Sequence, residues 1–235
     1  MQILKRLIEK IESAPLDPRP SDNFYMEEVF DSALYAEILA HLPTTHDYDF
    51  IDHPDAVLPD GTKTRKLLDL TDETLARLRP ADSAFWRQLR TVFTSPLLQA
   101  AITRKFLQPI LNLYQGYIPE MVTVPIFYRD FPGYYISPHT DAPFKIATLQ
   151  FYLPKDNSQV HLGTSFHEKQ NNDFSLLKTN EFKPNSAYAF VRTNNSWHSV
   201  KQLAPYESIR NTLALTIYLK GHEYKSTRGM NRAEY

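Results

Sequence analysis

RNTLALTIYL, residues 210–219, alternates with period two. Asn211, Leu213, Leu215, Ile217 and Leu219 share one face, and Arg210, Thr212, Ala214, Thr216 and Tyr218 share the other. Successive side chains of a strand point to opposite sides of a sheet, so one face is apolar enough to pack on helices. The other mixes hydroxyl and small groups with a charge, the composition of a sheet lining a polar cavity. KIATLQFYL (145–153) reads the same way, with Ala147, Leu149, Phe151 and Leu153 opposing Ile146, Thr148, Gln150 and Tyr152. MVTVPIFY (121–128) and SAYAFVR (186–192) add two more strands rich in β-branched and aromatic residues, and shorter ones are expected at 160–166 and 174–178.

Upstream of about residue 118 the texture is mainly helical. Ile3, Leu4, Leu7, Ile8 and Ile11 predict an amphipathic helix that ends before Pro15. Asp22 or Asn23 can cap a second helix, whose apolar face runs from Val29 to Leu39 and stops at Pro43. Residues 44–65, with Pro54, Pro59 and Asp60-Gly61, read as a loop with room for an edge strand. Helices are expected over 82–94 and 96–114, the second opened by Ser95-Pro96. Helices followed by an antiparallel β run predict an α+β fold with a sandwich or barrel of jelly-roll type.

Composition removes several classes of function. The 235 residues suit one domain, and 42% apolar with 23% charged residues is an ordinary soluble balance. A formal charge of −1 argues against nucleic acid, which calls for a basic excess. The absence of cysteine excludes disulfides, thiolate metal sites and a cysteine nucleophile, leaving His, Asp and Glu as metal ligands. Neither glycine-rich nucleotide-binding pattern occurs. Charges at Lys5, Arg6, Glu9 and Lys10 interrupt any signal-peptide core. The longest membrane-like run, Leu213 to Leu219, falls far short of the roughly 20 residues of a spanning helix. The expectation is a cytoplasmic protein with no membrane partner.

Among eight histidines, His139 stands two residues before Asp141 in SPHTD, and His198 follows the strand at 186–192. Residues two apart in extended chain point to one side, so His139 and Asp141 can reach one ion, with His198 a third ligand. Two histidines and a carboxylate hold Fe(II) while leaving positions open for a co-substrate and O2. Twelve residues after His198, Arg210 lies on the cavity face with Thr212. A guanidinium in an apolar barrel needs a partner, and a dicarboxylic co-substrate would supply one bidentately. The clustered His46, Asp47, Asp49, Asp52, His53 and Asp55 read as a solvated loop, Lys63-Thr64-Arg65-Lys66 as a wet basic edge, and His161 and His167 as surface residues.

At these residues the chain resembles the Fe(II)- and 2-oxoglutarate-dependent oxygenase superfamily, particularly its prolyl-hydroxylase-like branch. The matching text is YRDFPGYYISPHTD (128–141), LQFYL (149–153), Leu162-Gly163-Thr164, PNSAYAF (184–190), WHSV (197–200) and RNT (210–212). The likeness covers about residues 121–220, and residues 22–43 look like the helical lead-in of such proteins. It implies a double-stranded β-helix (jelly-roll) core over 119–225 and a mainly helical support region over 1–118 packed on it, in one oxygenase domain spanning 1–235. It further implies His139, Asp141 and His198 as iron ligands and Arg210 as partner of the distal 2-oxoglutarate carboxylate. Thr212, Tyr128 and Tyr152 are implied as hydroxyl partners of that end, and which tyrosine reaches it depends on strand register. Ascorbate is a candidate reductant.

The implied reaction is hydroxylation of a C–H bond in an amino acid, a peptidyl side chain or a small metabolite, with release of succinate and CO2. Related halogenases carry a small residue where this chain has Asp141, which argues for hydroxylation. Two rival classes stand beside this one: a cupin-like metalloenzyme without 2-oxoglutarate, and a non-catalytic jelly-roll binding module. Arg210 speaks against the first and the metal-ligand set against the second.

Overall fold

The structure is a computed structural model that describes residues 2–51 and 53–223. Six helices run through the first half: α1 (Gln2–Ser13), α2 (Ser32–Ala40), α3 (Asp72–Arg77), α4 (Pro80–Phe93), α5 (Pro96–Lys105) and α6 (Leu107–Leu113). Three short strands lie among them: β1 (Asn23–Met26), β2 (Asp49–Phe50) and β3 (Arg65–Asp69). The second half is β: β4 (Met121–Asp130), β5 (Ile136–His139), β6 (Lys145–Tyr152), β7 (Thr164–Gln170), β8 (Asp173–Thr179), β9 (Ser186–Val191), β10 (His198–Val200) and β11 (Arg210–Leu219).

All strand pairs are antiparallel, in a seven-stranded sheet of order β1-β9-β6-β11-β4-β3-β2 and a four-stranded sheet of order β5-β10-β7-β8. Two antiparallel sheets in this mixed α/β chain are consistent with a jelly-roll. Among the described residues, no helix is long and apolar enough to cross a membrane.

The alternation in β11, β6 and β9 sorts the two cores. Leu213, Leu215 and Ile217, with Ala147, Leu149 and Phe151, face a large apolar cluster shared with Leu7, Ile11, Trp86, Leu89 and Phe93 of the helices. Trp86 meets Phe127 edge-on at 4.6 Å between ring centroids, and Phe93 lies 5.7 Å from Phe151. Each fully buried large apolar side chain contributes about 1.5–3 kcal/mol through removal from water. The opposite face turns Tyr152, Tyr188 and Phe190 toward Phe166, Phe182 and Val200 in a second cluster.

Besides α3, a helix the sequence reading did not place, the first half departs from that reading at three places. Asn23 opens strand β1, paired with β9 from Asn23↔Phe190 to Met26↔Ala187, and the cap of α2 is Asp31, whose side chain accepts from the Leu34 N–H at 2.8 Å. The helix expected over 96–114 breaks at Phe106. Pro109 has no N–H to offer the Lys105 carbonyl and its ring crowds that carbonyl, so the first helix ends there. The buried Phe106 ring then stacks on Phe24 at 5.6 Å. Third, β3 extends the large sheet beside β4, so the supposed basic edge is a paired strand.

Gly163, before β7, shows how tightly the chain closes around the second core. A Cβ there would lie 1.6 Å from the backbone oxygen of Asn180. Gly163→Ala should therefore lower the unfolding free energy by about 1–3 kcal/mol, the ordinary cost of overpacking. Denaturant titration reads this, and an unchanged midpoint would show that the 180–182 backbone gives way freely.

Candidate metal and co-substrate site

Strand register brings the two histidines together. His198 opens β10 directly opposite His139 at the end of β5, with ring centroids 4.3 Å apart. Asp141 follows in the turn after β5, and the ligand atoms of His139, Asp141 and His198 all lie within 4.8 Å of one another. Each imidazole is oriented by its own chain. His139 Nδ1–H donates to the Ser137 carbonyl and His198 Nδ1–H to the Ser196 carbonyl, both at 2.9 Å. A carbonyl can only accept, so both Nε2 lone pairs are left for a metal.

Electrostatics keep the ligands in their binding forms. Burial pushes the His139 pKa down to about 3, with the neighbouring His198 adding to the effect, and burial likewise lowers His198. Both are neutral near pH 7. Burial alone would raise the Asp141 carboxyl, but the Lys145 ammonium outweighs it and holds the carboxyl well below the usual range. Lys145, at the start of β6, donates to Asp141 Oδ1 at 2.7 Å. Two neutral imidazoles and one carboxylate fit a divalent first-row metal with open positions.

These groups line a cavity of about 490 Å³. At one end Asp130, fully buried, takes a fork from Arg65, Nε to Oδ1 at 2.5 Å and Nη2 to Oδ2 at 3.2 Å. Arg210 Nη1 reaches the same carboxylate at 2.8 Å, and its Nε donates to the Leu162 carbonyl at 2.7 Å. Two guanidiniums share one carboxylate, so this end carries one positive charge in excess. Arg210 Nη2 and the Tyr134 hydroxyl are both buried without a partner among the described residues, and both residues line the cavity. Buried orphan donors are uncommon and costly, and a ligand carboxylate is the group that would satisfy them. The site therefore fits a dicarboxylate co-substrate as well as a metal.

The other expected residues divide. Tyr128 lines the cavity with its ring 4.6 Å from the Arg65 guanidinium, and burial pushes its pKa up to about 12. Thr212 and Tyr152 stand behind the lining. Thr212 Oγ1 accepts from Gln150 Nε2 at 2.7 Å, and Tyr152 Oη accepts the Thr164 N–H at 2.8 Å while its ring underlies Arg210 at 5.5 Å. Gln150 Oε1 in turn accepts from Tyr188 Oη at 2.5 Å, so these hydroxyls belong to one buried polar network.

Sequence reading passed over Tyr134, Arg65 and Lys145. Tyr134 lies inside the motif already quoted, and Lys145 opens a strand already recognised. Arg65 gave no local signal, because its partner is 65 residues away. Of the acidic loop, His53 and Asp55 line the cavity wall, and Asp52 lies outside the described residues. Among the described residues, the cluster able to hold a metal is His139, Asp141 and His198. His161 pairs with Glu207, and His167 Nε2 meets Ser199 Oγ at 2.7 Å.

Neither a protein-family model nor a curated protein sequence matches this chain. Solved structures do. A prolyl hydroxylase from Trichoplax adhaerens, in complex with a hypoxia inducible factor oxygen degradation domain peptide, superposes with a TM-score of 0.52 at 14% identity, covering 97% of this chain and 94% of that one. A Pseudomonas putida prolyl-4-hydroxylase gives 0.54 at 12% identity over 93% of this chain and 100% of that one. The fold of this chain is that of the prolyl hydroxylases, the branch of the Fe(II)- and 2-oxoglutarate-dependent oxygenases that its sequence resembles.

Proposed function

We propose that this protein is an Fe(II)- and 2-oxoglutarate-dependent dioxygenase, acting as one domain, that hydroxylates an unactivated C–H bond of an amino acid, peptidyl side chain or small metabolite. The carrying observation is the pair of buried donors without a partner among the described residues, Arg210 Nη2 and Tyr134 Oη, in the cavity that also holds the His139, Asp141, His198 cluster. A peptide occupies one structural neighbour, which keeps a peptidyl substrate among the choices.

His139, Asp141 and His198 would hold the iron, and Arg210 with Tyr134 would hold the far carboxylate of 2-oxoglutarate. Iron and 2-oxoglutarate together supply the oxidation of the C–H bond by O2, with succinate and CO2 as the other products. The chain's own part is positioning. The Ser137 and Ser196 carbonyls fix both imidazole tautomers, and Lys145 keeps Asp141 ionised and aimed. Tyr152 beneath Arg210 and Thr212 behind Gln150 hold the co-substrate end rigid, and Tyr128 does the same for Arg65.

The test is 2-oxoglutarate consumption by the iron-loaded protein across candidate substrates, with product mass read for one added oxygen atom. Alongside it, Arg210→Ala should weaken anaerobic 2-oxoglutarate binding by more than the roughly 1.5–3 kcal/mol of one charge-assisted hydrogen bond, since the dianion loses its charge partner. Affinity equal to wild type would favour a metalloenzyme that does not use 2-oxoglutarate.

A further inference from the structure

Four cationic side chains line the cavity: Arg65, Lys145, Arg192 and Arg210. Among the described residues, two carboxylates pair with them and a third stands nearby. Asp141 takes Lys145, Asp130 takes Arg65 and Arg210 together, and Asp55 stands beside His53 with Nδ1 to Oδ2 at 3.7 Å. Arg192 has no carboxylate partner among the described residues, and it is the one of the four cations without one.

A divalent metal and a dicarboxylate dianion carry equal and opposite charge, so loading both brings Arg192 no net counter-charge. Its placement is specific. Arg192 follows β9, with its own N–H bonded to the Ile146 carbonyl at 2.8 Å. Its Nε donates to the backbone carbonyl of Asp141 at 3.2 Å and its Nη1 to Asn194 Oδ1 at 3.1 Å. The guanidinium is thus pinned against the metal-ligand turn from two sides, with Nη2 unpaired among the described residues and the residue on the cavity wall. A long cationic side chain held this way has already lost much of its rotamer freedom, so an anion that meets it gains the contact at reduced entropic cost.

Resting on the functional reading above, we propose that the substrate carries a carboxylate and that Arg192 binds it, placing the neighbouring C–H bonds beside the metal. A single free donor edge suits a singly charged carboxylate better than a phosphate dianion, which calls for several donors.

The experiment uses the full chain loaded with Mn(II) and saturating 2-oxoglutarate under argon. Benzoate is the anionic probe and benzamide its neutral twin, with acetate as a probe too small to be excluded by shape. The readout is broadening of the probes' proton lines by Mn(II), an effect that falls steeply with distance from the ion. Benzoate and acetate should broaden saturably and benzamide should not. Arg192→Gln should weaken both anions about tenfold or more, and Arg192→Lys should recover part of the loss. No saturable broadening by either anion, equal broadening by benzamide, or unchanged affinity in Arg192→Gln overturns the proposal. Water-proton relaxation and 2-oxoglutarate titration before any probe is added report on the functional reading separately. Failure at that stage refutes that reading and the proposal with it.

Discussion

Replacing His139 or His198 with alanine is expected to lower Mn(II) affinity, the spectroscopic stand-in for Fe(II), by more than about 100-fold while leaving the chain folded. Changes to groups that merely orient a ligand cost about 10–100-fold, and these changes remove a ligand itself. Both imidazoles are neutral, His198 buried and His139 half-buried, so their loss strands only the Ser137 and Ser196 carbonyls. Asp141 behaves differently. Its carboxylate is the charge partner of Lys145, whose side chain is only 18% exposed. Asp141→Ala should therefore lose the metal and also lower stability by about 3–5 kcal/mol, the cost of breaking a buried pair from one side. Adding Lys145→Met should recover most of that stability without recovering metal binding. Isothermal titration with Mn(II) beside a urea melt separates the two effects. Wild-type affinity in both histidine variants would remove the metal site, and an Asp141→Ala protein as stable as wild type would show that Lys145 has no need of its partner.

What the sequence revealed, and what it hid, follows from the range of the interactions. β4, β6, β9 and β11 were legible because period-two alternation is local, and β11 even showed which face carries Arg210, Ala214 and Thr216 into the cavity. The triad was legible because His139 and Asp141 are two residues apart and His198 lies in a short motif. Strand β1 was not, because Asp22 and Asn23 are good cap residues and four residues are too few to display a period. β5, also four residues, and β10, three residues, are no longer than β1. Arg65 is the instructive miss. In KTRK, residues 63–66, it looks like one cation among several on a wet surface. Only the pairing of β3 with β4, which sets Arg65 directly opposite Asp130, turns it into the cavity. Asp130 in turn sits opposite Arg210 on β11, so a single register places one carboxylate between two guanidiniums drawn from distant segments.

That arrangement sets the other large effect. Asp130→Asn should lower the unfolding free energy by about 3–5 kcal/mol, because it leaves two guanidiniums without a charge partner, Arg210 only 1% exposed and Arg65 17% exposed. Asparagine keeps the volume, so the loss reports charge and not packing. Removing one of the cations as well should relieve part of it: Arg65→Met combined with Asp130→Asn should be more stable than Asp130→Asn alone, a coupling that a double-mutant cycle isolates. The same physics ties this end of the cavity to the co-substrate. A ligand that binds only the folded state raises stability with the logarithm of one plus its concentration divided by its Kd. If the far carboxylate of 2-oxoglutarate docks beside Arg210, it brings a negative charge to the place where Asp130→Asn removed one. The rise in melting temperature with added 2-oxoglutarate should then be larger in Asp130→Asn than in wild type. A thermal melt of both proteins with and without the dianion decides the matter. A smaller shift in the variant would mean that Asp130 presents Arg210 to the ligand instead of competing with it, and an Asp130→Asn protein that melts with the wild type would show that the buried guanidiniums are satisfied by other means.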